Sequence, residues 1–242
     1  MNIAKNISWL IKRRLKRSVG VPDMWNSLLQ LKENNFTPLN VFDIGAYDGR
    51  WTKNCSKVFS NADYFMFEPQ EHLYRALSSM VSDKIVIENL LLGERDGLEI
   101  NFYEDGSGSS ALRFGPNIPI KKVTTSLDFY CQKNSINSID ILKMDVQGYE
   151  LNILQGAKTT LKNVQLIIAE VSLLDVYVDC PLVAEIINFL NIHHFQLFDI
   201  VDLRRRELDN NLWQCDMFFV KNDFFLLNDK RKDKKQIRPI DH

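Results

Sequence analysis

VFDIGAYDGRWT, residues 41–52, is the stretch from which the fold is read. Apolar residues around Asp43 make a short buried strand, Gly45 and Gly49 bracket a tight turn, and a helix begins near Trp51. Glycine lets backbone pass close to a ligand, and a helix N-terminus presents unpaired N–H groups that favour a carboxylate or phosphate. An anionic group is therefore expected at this turn.

Outward from this stretch, short apolar runs alternate with segments of helical spacing. Strand-like runs fall at 41–44, 64–67, 85–92, 139–144, 165–168, 196–200 and 217–220, and helical spacing falls at 51–59, 71–81, 149–161 and 182–192. Such alternation predicts an α/β layered fold with a largely parallel sheet, because parallel neighbours need a crossover between them. Residues 98–125 break the rhythm with Gly106, Gly108, Gly115, Pro116 and Pro119, and read as a β-rich insertion with a mobile loop. Three parts are expected: a helical extension over 1–38, the main domain over 39–224 and a charged tail over 225–242.

The bulk properties exclude several classes. The chain has 242 residues, 45% hydrophobic and 25% charged, with a formal net charge of -1, so no global field favours duplex nucleic acid. Cys55, Cys131, Cys180 and Cys215 lie far apart without a C-x-x-C pair, and are read as reduced core thiols. The apolar run 7–11 is too short for a signal-peptide core or a membrane span, which predicts a cytoplasmic protein. Lys5, Lys12, Arg13, Arg14, Lys16 and Arg17 make the N-terminal segment basic, a candidate for peripheral contact with an anionic membrane or an acidic partner; the alternative is a solvated capping helix.

Two further motifs bear on chemistry. FMFEPQ, residues 65–70, is an apolar strand ending in Glu68, and an acid at the tip of the second strand of such a unit accepts hydrogen bonds from ribose hydroxyls. Together with the first turn this describes a nucleoside-bearing cofactor. The spacing is G-x-x-x-G after an acid, not the G-x-G-x-x-G of a pyrophosphate site, which weakens a nicotinamide oxidoreductase. S-adenosylmethionine fits better, with an ammonium near Asp43, a carboxylate for the turn amides and a ribose for Glu68. In IDILKMDVQGYELNILQGA, residues 139–157, another strand ends at Asp145 and a glycine turn opens a helix, so Asp145 stands on the same rim as Asp43 and Glu68. A carboxylate there can take a proton from a substrate hydroxyl, orient an acceptor or bind a divalent cation, although no metal is predicted.

VFDIGAYDG, FEPQ, NLLLGERDG, VTTSLDFY, KMDVQGYELNILQGA, IIAEV and WQCDMFFV, in this order, resemble the FkbM family of S-adenosylmethionine-dependent methyltransferases over about residues 22–221. The resemblance implies a Rossmann-like class I methyltransferase sheet of seven strands, the last antiparallel, flanked by helices. It also implies O-methyl transfer to a sugar, polysaccharide, glycolipid or macrolide. By the family pattern Asp43, Gly45 and Gly49 form the methionine-side loop, Glu68 grips the ribose and Asp145 lies near the transferred methyl. Tyr47 and Asp48 in the turn, and Pro69 after Glu68, complete the candidate cofactor contacts. Gln147 departs from the acid found in many members, and this puts a metal role for its loop in doubt.

Asp145 is the first candidate general base and Glu170, ending the IIAEV strand, the second. His193 and His194 at a helix end are read as structural. Lys143 is read as facing away from Asp145 and pairing with a neighbouring acid. Arg204, Arg205 and Arg206 suit an anionic acceptor or a solvated hairpin tip. An N-methyltransferase is the nearest alternative, but it usually carries an acid or amide followed by Pro-Pro-aromatic where this chain reads DVQG. A degenerate, non-catalytic S-adenosylmethionine-binding module is the other, and it sits poorly with Asp43, Glu68 and Asp145 all being present. Alanine at Asp43 or Glu68 is expected to weaken cofactor binding and leave the fold intact.

Overall fold

Alternation along the strands decides how the layers form. Successive side chains of a strand point to opposite faces, and in the computed structural model, which describes residues 22–113 and 115–230, both faces of the central strands are covered. The strands are β1 (Asn40–Ile44), β2 (Asp63–Phe67), β3 (Ile85–Glu88), β4 (Leu91–Gly93), β5 (Glu99–Phe102), β6 (Ile120–Ser126), β7 (Ile139–Met144), β8 (Val164–Ser172), β9 (Phe195–Arg205) and β10 (Leu212–Lys221). The helices are α1 (Met24–Glu33), α2 (Arg50–Val58), α3 (Glu71–Leu77), α4 (Leu127–Lys133), α5 (Glu150–Gln155) and α6 (Val183–Ile192). Val41, Ile141, Leu166, Ile168 and Phe218 face one side, where Met24, Leu28 and Leu31 of α1 and Cys55 and Val58 of α2 close over them. Phe42, Leu142, Ile167 and Phe219 face the other, under Leu127, Ile153, Leu154, Ile186 and Leu190. Each such fully buried side chain contributes about 1.5–3 kcal/mol relative to exposure.

Seven strands form the main sheet in the order β3-β2-β1-β7-β8-β10-β9. β1 pairs in parallel with β2 and β7, β7 with β8, and β2 with β3, while β10 runs antiparallel between β8 and β9. This is the Rossmann-like class I methyltransferase sheet with the last strand reversed, as the sequence predicts. The order reverses between β1 and β7, and the crevice outside the carboxyl ends of the strands at such a point is where ligands bind.

Two sequence readings change, and that of a β-rich insertion is borne out in more detail. The run 85–92 is two strands, because the chain leaves the main sheet after Glu88 and Leu91–Gly93 pairs with β6. The insertion at 98–125 is a second sheet of order β4-β6-β5, closed by an antiparallel β5–β6 pair and a short 3-10 turn at Gly106–Gly108. The helical stretch 149–161 stops at Gln155; a Cβ on Gly156 would stand 2.1 Å from the Gly93 carbonyl oxygen, so small-residue packing takes over there. Met24, Leu28 and Leu31, from the segment read as an extension, share the core of the sheet. The basic segment from Lys5 to Arg17 and the tail beyond residue 230 lie outside the described residues. No helix among the described residues is long and apolar enough to cross a membrane. All four cysteines are buried with free thiols.

Candidate active site

The ends of β1, β2 and β7 open into a cavity whose polar wall includes Gly45, Tyr47, Glu68, Gln70 and Asp145. Its apolar wall comes from Phe67, Leu90, Leu92, Phe102, Tyr149 and Ile153. Phe102, Gly106, Ser107 and Ser109 close it from the second sheet, so the insertion forms one wall of the site. This lining suits a small organic ligand with a flat apolar part and a few polar anchors.

The turn after β1 is shaped by close approach. Gly45 has φ +77°, and a Cβ there would stand 2.0 Å from the Asp145 carbonyl oxygen, so any other residue would push the ends of β1 and β7 apart. Asp145 N–H donates to the Ile44 carbonyl at 3.0 Å, which continues the β1–β7 ladder into the turn. Tyr47 sits in the left-handed region at φ +49°, where a bulky residue is strained. Its N–H donates to Glu68 Oε2 at 2.8 Å, and the Gln70 N–H donates to Glu68 Oε1 at 2.8 Å. Burial pushes the Glu68 carboxyl up, while the Gln70 and Tyr47 amides pull it back. Gln70 is buried against the cavity, and its Oε1 has no hydrogen-bond partner among the described residues. A buried acceptor without a donor is costly, and the hydroxyls and amine of an adenosine moiety are the donors it lacks. These residues fit S-adenosylmethionine.

Asp43 stands elsewhere. It is fully buried beneath the turn, with Oδ2 accepting from Thr52 Oγ1 at 2.7 Å and Oδ1 from Lys143 Nζ at 2.8 Å. Burial alone would lower the Lys143 ammonium, but the charges of Asp43 and Asp145 outweigh it and the net direction is up. Lys143 also donates to the Gly45 carbonyl at 3.3 Å, so the buried pair braces the turn from below. The pairing of Lys143 with an acid is found, but the opposite-face reading is corrected. Positions 143 and 145 are two apart in extended chain and share a side, which is why Asp145 acts on Lys143. Asp48 turns outward: Oδ1 accepts the Arg50 N–H at 3.1 Å and the side chains of the two form an exposed ion pair. Gly49 caps α2 at φ +71° against Met80 and Leu77. Asp43, Asp48 and Gly49 are absent from the cavity wall, whereas Gly45, Tyr47, Glu68 and Pro69 belong to it.

On the acceptor side, Asp145 lines the cavity and Glu170 does not. Glu170 is buried in β8 and saturated: Oε2 accepts from Gln147 Nε2 at 2.7 Å and Gln214 Nε2 at 3.0 Å, and Oε1 pairs with Arg204. Three donors on one carboxylate leave it poorly placed to take a proton. Asp145 Oδ1 accepts from Gln147 Nε2 at 2.8 Å, while no hydrogen bond is made to its Oδ2 among the described residues. Burial and the Asp145 charge push the Asp216 carboxyl, on β10 beside Glu170, up to about 7. Glu150, at the start of α5, accepts the Val146 N–H at 3.0 Å, and burial pushes it up to about 7. Among the described residues no group of three or more His, Cys, Asp or Glu is arranged to hold a metal ion.

Sequence reasoning passed over Gln70, Gln147 as a donor, and Tyr177, whose hydroxyl donates to Gln147 Oε1 at 2.8 Å. Gln70 was readable as the neighbour of Glu68; Tyr177 lies in a connecting segment with no motif. His193 stacks on Phe189 at 4.3 Å and Nδ1 bonds the Phe189 carbonyl, the structural role expected of it. Arg205 and Arg206 bond within their own hairpin tip, to Asn210 and Asp209.

The family model described as the methyltransferase FkbM domain matches residues 43–197, well over half of the chain. The 2-O-methyltransferase NoeI of Sinorhizobium fredii (strain NBRC 101917 / NGR234) is 27% identical over 158 residues, covering 57% of this chain and 65% of that protein. The chain thus spans just under two thirds of that relative's length. Among solved structures, magnesium protoporphyrin IX methyltransferase from Synechocystis PCC 6803 with bound SAM superposes with a TM-score of 0.49 at 10% identity, covering 81% of this chain and 77% of that one. The Methanococcus jannaschii fibrillarin pre-rRNA processing protein gives 0.47 at 13% identity, covering 76% and 66%. Strand order and family match converge on one assignment: the chain belongs to the FkbM methyltransferase family.

Proposed function

We propose that the chain methylates a hydroxyl of a sugar or glycoconjugate, with Asp145 as the general base. The observation that carries this reading is the asymmetry of Asp145, a residue of the cavity wall: Oδ1 is held by Gln147, and no hydrogen bond is made to Oδ2 among the described residues. When bound, S-adenosylmethionine supplies a methyl group on a sulfonium, open to in-line attack. Gly45, Tyr47 and Glu68 hold the cofactor end of the cavity. Asp145 Oδ2 accepts the hydroxyl proton as the oxygen attacks, a contribution of about 10²–10⁴-fold for a positioned base. The apolar wall excludes water, and alignment supplies the rest. Similarity to a 2-O-methyltransferase supports oxygen as the acceptor atom. So does the turn after β7, Asp145-Val146-Gln147-Gly148, which has no Pro-Pro-aromatic platform for a planar nitrogen. A small-molecule or glycan acceptor, no nucleic-acid partner and cytoplasmic residence, with the basic N-terminal segment a candidate for peripheral membrane contact, belong to the same reading.

Calorimetry with S-adenosylmethionine and with NAD, followed by release of S-adenosylhomocysteine over a panel of oligosaccharides, tests it. Binding of the first alone and turnover of a hydroxyl acceptor are expected. Asp145→Asn should bind the cofactor within about twofold of the parent and lose about 10²–10⁴-fold in turnover. An unimpaired Asp145→Asn rate removes it as base.

A further inference from the structure

We propose that Gln147 is the positioning residue of the site: its side-chain amide fixes where the Asp145 carboxylate points, and Tyr177 fixes the amide. The proposal rests on the reading of Asp145 as base. One amide nitrogen bridges two carboxylates, at 2.8 Å to Asp145 Oδ1 and 2.7 Å to Glu170 Oε2. Glu170 is itself immobilised by Gln214 and Arg204, so the bridge ties the rim residue Asp145 to a rigid point inside the sheet. An amide can present either end, and here the choice is made by Tyr177, whose hydroxyl donates to Oε1 at 2.8 Å. With the oxygen so engaged, the nitrogen faces the two acids.

The backbone supports the same arrangement. Gln147 has φ +57°, a conformation strained for such a residue that persists only where its surroundings hold it. Its carbonyl accepts from Ser110 Oγ at 2.8 Å, which clips the insertion onto the turn. Burial beside Glu150, Asp105 and Asp145 raises the Tyr177 phenol to about 12, so its hydroxyl stays a donor over the working pH range. An acid at position 147 would replace two donated bonds with a third carboxylate against Asp145 and Glu170.

Position is measurable without an acceptor. In the parent, scalar couplings across the Asp145 Cα–Cβ bond should report one rotamer; in Gln147→Met, which keeps the volume and loses the donors, they should average over several. Tyr177→Phe should give an intermediate result, and the cofactor affinity of both variants should stay within about twofold of the parent. With an acceptor turned over in the oligosaccharide panel, kcat should fall about tenfold or more in Gln147→Met, and the KM for S-adenosylmethionine should hardly move. A single unchanged Asp145 rotamer in Gln147→Met overturns the proposal. A mobile Asp145 in Gln147→Met, together with a fully active Asp145→Asn, keeps the positioning and removes the base, so the two readings fail separately.

Discussion

The two halves of the rim, the ends of β1 and β2 and the ends of β7 and β8, are held by different kinds of contact. At β1 and β2 the backbone does the shaping: Gly45 lies against the Asp145 carbonyl, and the amides of Tyr47 and Gln70 close on Glu68. At β7 and β8 side chains from far apart converge: Gln147, Arg204 and Gln214 gather on the carboxylates of Asp145 and Glu170, and Tyr177 holds the Gln147 amide. The first half is shaped by backbone groups and organised around one buried acid, Glu68. The second is assembled by the sheet, and it carries the group proposed for proton transfer. Lys143 joins the halves, reaching from β7 to Asp43 and the Gly45 carbonyl.

The largest effect is expected where the halves meet. Asp43→Ala strands the Lys143 ammonium, which is 6% exposed at its side chain, and should cost about 3–5 kcal/mol of stability. The sequence reading, that this substitution spares the fold, is thereby replaced. Denaturant unfolding of Asp43→Ala checks it, and an unfolding free energy within about 1 kcal/mol of the parent would return Asp43 to a purely ligand-directed role.

Glu68→Ala should act within the first half alone. Losing the buried acceptor should weaken S-adenosylmethionine about 10–100-fold by calorimetry, the equivalent of about 1.4–2.7 kcal/mol. Unchanged affinity would move the cofactor anchor away from β2. The Asp145 rotamer should be indifferent to it.

A further effect belongs to the second half and depends on pH. The unfolded chain gives up the Glu150 proton near its ordinary value of 4.5, the folded one near 7. Between these values the unfolded state binds fewer protons, so rising pH removes stability through this window, up to about 3 kcal/mol above it. Glu150→Gln keeps an acceptor for Val146 and lacks the ionisation. It should melt above the parent at pH 8, with the gap shrinking towards pH 4.5; a pH-independent gap would mean that Glu150 is not buried in the manner described.

The sequence by itself determined the sheet, its layers and the family. Runs such as 139–144 and 165–168 put apolar residues at both odd and even positions, the pattern of a strand covered on both faces, and the turn glycines and strand-end acids are written within a few residues of one another. It also brought Gly45, Tyr47, Glu68, Pro69 and Asp145 together, because the ends of neighbouring parallel strands share a rim. Tertiary structure alone decided which acids face the cavity. Asp43 and Asp145 each end a strand with a glycine turn following, yet one is turned under the sheet to Lys143 and the other into the cavity. Glu170 looks like a second base until Arg204 and Gln214 arrive from the reversed hairpin to occupy it. The break at Asn89 was equally invisible, since Ile85–Glu88 and Leu91–Gly93 read as one apolar run and only their partners differ. A strand pattern records which residues prefer burial, and it carries no record of the distant donor that an acid will meet.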